Sequence, residues 1–73
     1  MLLEELVTMH RRLRDGEYMK IILPSEWEIH ADNTDEVGPV YNVFRILRKD
    51  GRVVSINPDH VIMAMTVKKG AYL

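Results

Sequence analysis

No cysteine occurs in the 73 residues. Disulfides are therefore excluded and most structural zinc sites with them, two of the usual supports of a chain this short. A domain of this size buries only about 60% of the surface that its unfolded form exposes. Self-association is the support that remains, and the missing cysteine fits a reducing compartment. Long hydrophobic runs are missing too. Glu4 and Glu5 interrupt the apolar start at once, so there is no signal-peptide core and no membrane span. The chain reads as complete and cytoplasmic, with no membrane partner. Glycine-rich phosphate loops are absent, and Ser25 and Ser55 lack a glycine-flanked nucleophile elbow. Asp59 and His60 are sequence neighbours, which point apart more often than they form an orienting pair. An enzyme is not expected, and neither is a cofactor.

What is present is ordinary for a folded domain, with 47% hydrophobic and 29% charged residues. The net charge of −1 hides segregation. Residues 1–16 balance three acids against three arginines, residues 17–39 hold six acids and one lysine, and residues 40–73 hold six bases and two acids. An acidic middle is thus followed by a basic C-terminal half.

Leu2, Leu6, Met9 and Leu13 are spaced as one helical stripe, widened by Leu3 and Val7. Glutamates open this segment and Arg11, Arg12 and Arg14 close it, in the sense that the helix dipole favours. Gly16 is placed to stop it. The spacing predicts a helix over residues 2–15, within an N-terminal segment 1–16, whose stripe covers the sheet that follows. Two heptads are too few for a zipper.

The remainder, residues 17–73, reads as strands of the same single domain. They are expected at 17–23, ended by Pro24, and at 27–31, where Trp27, Ile29 and Ala31 alternate with Glu28 and His30. An acidic loop is expected over 32–39. Strands at 40–49 and 52–56 flank Asp50-Gly51, the dipeptide of a type I′ hairpin turn. A last strand over 61–67 carries Met63 and Met65 on one face. Before it lies Asn57-Pro58-Asp59-His60, in which Asn57 caps and Pro58 opens a single 3₁₀ turn, bending the chain through nearly a right angle. The fold class is α+β, an N-terminal helix followed by a strongly bent antiparallel sheet of about five strands.

That order, with a short rigid turn before the last strand, resembles small SH3-like and Sm-like β-barrels. The resemblance rests on the sequence of elements across most of the chain, and it implies barrel closure by the last strand. Bacterial members of the Sm-like class place a Lys-His pair near the equivalent turn, where His60 stands here. More locally, "VVSINPDHVIMA" looks like the end of small DNA-binding regulators of extracellular-matrix genes in bacilli.

Among candidate sites, Glu28, His30 and Asp32 form the best metal-like set, although such alternation is ordinary on a solvated strand face. Arg45, Arg48, Lys49 and Arg52 surround the Asp50-Gly51 tip. This basic finger suits phosphates or an acidic protein surface, with His60 as a further partner-binding candidate. Against nucleic acid stand the pI of about 6.3 and the scarcity of aromatics, which make up 7% of the residues. Met63 and Met65 are the candidate oligomer interface. The expectation is a small non-enzymatic binding or regulatory module that forms homo-oligomers, in keeping with short accessory factors such as those of phages. Nucleic-acid binding through the basic hairpin is the alternative, and capture of a small anion or nucleotide between subunits is a third.

Overall fold

A computed structural model of the chain describes residues 1–70. Helix α1 (Leu3–Arg11) is followed by β1 (Glu17–Leu23), β2 (Trp27–Asp32), β3 (Glu36–Val40), β4 (Val43–Leu47), β5 (Val53–Ile56) and β6 (Met63–Lys68). The strands form two antiparallel three-stranded sheets, ordered β2-β1-β6 and β3-β4-β5. The α+β class and the leading helix agree with the sequence. The single bent sheet of about five strands does not, and the described ladders do not close the two sheets into one barrel.

The additional strand lies where an acidic loop was expected. Asp32 makes a tight turn, accepting the Thr34 N–H on Oδ1 at 2.9 Å while its carbonyl accepts the Asp35 N–H at 3.2 Å. The chain then extends as β3 through Gly38 and Pro39, both poor strand formers. Proline is tolerated because β3 is an edge strand, paired with β4 alone. Tyr41-Asn42 then turns the chain between Val40 and Val43, which are paired, so residues 40–49 are not one strand.

Two local predictions change for physical reasons. The helix ends at Arg11 because Glu17 captures the following segment, its carboxylate accepting the Arg14 N–H at 2.7 Å and its own N–H donating to the Arg14 carbonyl at 3.0 Å. Gly16, at φ 83°, serves that turn and not the helix end. In the β4–β5 hairpin only Gly51 takes positive φ (88°), so the turn is not type I′. Gly51 donates to the Arg48 carbonyl at 3.0 Å and Arg48 to the Arg52 carbonyl at 2.8 Å. That is the pattern of a three-residue loop with its glycine in the left-handed position.

The core lies between helix and sheets. Leu6 of α1, Met19 and Ile21 of β1, Ala31 of β2, Phe44 and Ile46 of β4, Ile56 of β5 and Val61 are buried. Leu3, Val7, Met9 and Leu13 pack around them, so the helical stripe covers the sheets as its spacing predicts. Removing the Leu6 side chain to alanine would cost about 3 kcal/mol. The helix is tied at both ends: the Met1 ammonium donates to the Pro58 carbonyl at 3.2 Å, and His10 Nε2 lies 2.8 Å from the Asp32 carbonyl. The corner before β6 is the predicted 3₁₀ turn, Pro58–His60, with Asn57 Oδ1 accepting the Asp59 N–H at 2.9 Å. It carries the chain from one sheet to the other.

Candidate functional site

Side chains alternate across a strand, and directly paired residues share a face. Met19 and Ile21 of β1, Ala31 of β2 and Ala64 of β6 point into the core. By the same register, Tyr18, Lys20 and Ile22 of β1, Glu28, His30 and Asp32 of β2, and Met63, Met65 and Val67 of β6 form the outer face. That face has two halves of different character.

The β2 half is polar and internally paired. Lys20 Nζ lies 2.8 Å from Glu28 Oε1, and this hydrogen bond holds the Glu28 carboxyl below its ordinary range. The His30 ring packs against Tyr18 with centroids 4.7 Å apart. The Asp32 carboxylate accepts from the hydroxyl and the N–H of Thr34, and Lys69 Nζ stands 3.3 Å away. Those bonds, Thr34's foremost, depress its pKa strongly. Glu28, His30 and Asp32 each have another partner, and no cluster able to hold a metal ion occurs among the described residues.

The β1–β6 half is apolar except for Lys20, which stands opposite Met65 and reaches across to Glu28. Ile22 pairs with Met63, Lys20 with Met65 and Tyr18 with Val67. Met63 is 47% exposed, and Met65 and Val67 are half-buried. None of these three belongs to the buried core. Moreover β6 is an edge strand, paired on one side with β1. An edge strand presents a row of backbone donors and acceptors to any chain that can add to it. Ile22 and Tyr18 were missed as members of this surface. The Ile21-Ile22 doublet carries the signal, because consecutive apolar residues on a strand place one on each face.

The basic hairpin is divided by the fold. Arg48 is withdrawn from it: Nη1 donates to the His30 carbonyl and lies 3.4 Å from Asp35 Oδ2, with its side chain 24% exposed. Asp35 is the buried charged residue of the described chain, at 7% exposure, and it also accepts the Asp32 N–H at 3.0 Å. Arg52 Nε pairs with Asp50 Oδ2 at 2.7 Å, and the Arg52 N–H donates to Asp50 Oδ1, holding that carboxyl below its ordinary range. Arg45 and Lys49 stay exposed, Arg45 at mid-strand opposite Gly38 and Ser55. His60 is exposed in the 3₁₀ turn, where its N–H donates to the Asn57 carbonyl at 3.0 Å.

Among the described residues no helix is long and apolar enough to cross a membrane. No family model matches the chain, and neither does any curated protein or any solved structure.

Proposed function

We propose that this chain is a small non-enzymatic binding and regulatory module that works as a homo-oligomer assembled through β6. The observation that carries the reading is the apolar outer strip of an edge strand, Met63, Met65 and Val67, continued on β1 by Ile22 and Tyr18. Antiparallel addition of β6 to a second β6 about a two-fold axis at Met65 sets Met63 opposite Val67, and the strip becomes continuous across both copies. An isologous contact of this kind asks only that the patch complement itself, and no like charges face each other within it. A core of eight buried apolar residues gives the physical motive, since a small domain gains most from an added interface.

Size-exclusion chromatography with light scattering tests the reading. The wild type should run above its 8.5 kDa chain mass, and Met65→Lys should run at it while keeping its circular dichroism spectrum. A wild type that is monomeric at high micromolar concentration would remove the proposal. Phosphate binding by the basic hairpin is the second reading, supported by the exposure of Arg45 and Lys49. It predicts that mixed oligonucleotides bind with an affinity that falls steeply with salt.

A further inference from the structure

The two rims of the molecule differ in chemistry. One is reached along a chain of contacts. Leu23 pairs with Trp27, and beside them the Ile62 N–H donates to the Ile22 carbonyl at 2.9 Å. Ile62 follows the Pro58–His60 turn, where the Met1 ammonium meets the Pro58 carbonyl. Leu2 and Leu3 share a shallow groove with Pro39, and two residues on Tyr41 closes the β3–β4 hairpin, next to the Phe44–Ile56 pair that leads into Asn57. Along this rim Trp27 is 70%, Ile62 65% and Tyr41 95% exposed, with Met1, Leu2 and Met63 also open to solvent.

Charge follows the same division. The segments that build this rim, 1–10, 21–29, 39–44 and 56–63, contain Glu4, Glu5, Glu26, Glu28 and Asp59; against these stand the Met1 ammonium, Arg11 on the wall of the groove and Lys20, which pairs with Glu28 at 2.8 Å, so the border stays acidic on balance. The opposite rim carries Arg48, Lys49, Arg52 and Lys69 around Asp32 and Asp35. The backbone is divided likewise. Among the described residues, the non-glycine positions at positive φ are Ser25 (66°), Glu26 (62°) and Tyr41 (55°), all in the turns of the apolar rim. L-residues avoid this region, and where it persists it tends to mark surfaces with a task. Here it sets Glu26 immediately before Trp27 and puts Tyr41 at a hairpin tip.

We propose that this rim docks a partner protein through an apolar segment bordered by lysine or arginine. Exposed Trp, Tyr and Ile supply the anchors that dominate protein interfaces, and the carboxylates around them select the sign of the border. The same carboxylates repel nucleic acid, anionic lipid and the like rim of a second copy. The rim meets the outer face of the β2-β1-β6 sheet at Ile22, Glu28 and Met63, while its anchors Trp27, Ile62 and Tyr41 lie outside that face, so docking here does not depend on self-association.

The chain's single tryptophan, Trp27, reports on the site directly. The probes are an amphipathic helical peptide of leucine and lysine, the matched peptide of leucine and glutamate, and phosphatidylcholine vesicles. The protein is held at a concentration where light scattering gives one species. The lysine peptide should shift Trp27 emission to shorter wavelength in a saturable manner, and the glutamate peptide should bind at least tenfold more weakly. Ile62→Ser and Tyr41→Ser, both at exposed positions, should weaken the lysine peptide tenfold or more with circular dichroism unchanged. Glu26→Gln should weaken it several-fold, and Arg45→Ser should leave it unaltered. An unshifted Trp27, equal affinity for the two peptides, or a shift produced by vesicles or by protein concentration alone would overturn the proposal. Loss of self-association in Met65→Lys with peptide binding intact would leave it standing.

Discussion

Arg48 and Asp35 join the two sheets: the guanidinium of the β4–β5 hairpin donates to the His30 carbonyl at the edge of one sheet and stands 3.4 Å from the buried Asp35 carboxylate that precedes the other. Removing Arg48 leaves the buried Asp35 carboxylate without its counter-charge. Arg48→Met should therefore lower the unfolding free energy by about 2 kcal/mol. Arg45→Met, from the same basic stretch but exposed, should change it by no more than about 0.5 kcal/mol. Urea denaturation separates the two, and equal losses would contradict the assignment of Arg48 as a structural latch.

Acid should act most strongly through Asp32. Its folded pKa is depressed by hydrogen bonds from Thr34, while an unfolded aspartate titrates near about 3.9. Between those values the unfolded chain holds more protons than the folded one, so stability falls as pH falls. The contribution is fully present above the ordinary aspartate value and is lost progressively below it. Unfolding free energies measured on descending from pH 5 should drop for the wild type and drop less steeply for Asp32→Asn. Parallel pH profiles would show that the Thr34 and Lys69 contacts carry no such linkage.

Tyr41 sits in a strained backbone position with its side chain in solvent. Its φ of 55° lies where an L-residue is strained, and at 95% exposure its ring gains little from burial. Tyr41→Gly should stabilise the fold by about 0.5–1 kcal/mol, the relief of strain exceeding the entropy that glycine loses on folding. Thermal unfolding followed by circular dichroism should show a midpoint raised by a few degrees. A lowered midpoint would mean that the tyrosine ring makes a contact worth more than the strain.

Much of the fold was legible because it depends on local rules. The Leu6 stripe, the alternation in β2 and β6, and the Asn57-Pro58 turn each follow from spacing or from a side chain fitted to one backbone conformation. What escaped depends on partners distant in sequence. Residues 36–39 read as loop because glycine and proline are poor strand formers, and only the edge position of β3 lets Pro39 sit in a strand. Arg48 looked like one cation of a finger until the turn at Asp32 brought Asp35 beneath it. Trp27 follows the inward alternation of its strand yet stands in solvent at the first position of the edge strand β2, although its direct partner Leu23 packs against the core. The Met63 and Met65 face was named from alternation alone, and the register supplied Ile22 and Tyr18 as its neighbours.

The central claim, that β6 pairs with a second β6 about Met65, is tested most directly by a single cysteine. The chain has none of its own, so any cross-link that forms in Met65→Cys joins two copies. Antiparallel neighbours stand about 4.5–5.5 Å apart between Cα atoms, within the span of a disulfide. Under mild oxidation Met65→Cys should convert largely to a covalent dimer, and far faster than Ser55→Cys, an exposed control on the other sheet. A mixture of Met63→Cys and Val67→Cys should yield mainly the mixed dimer. Cross-linking of Met65→Cys no faster than that of Ser55→Cys would contradict the account.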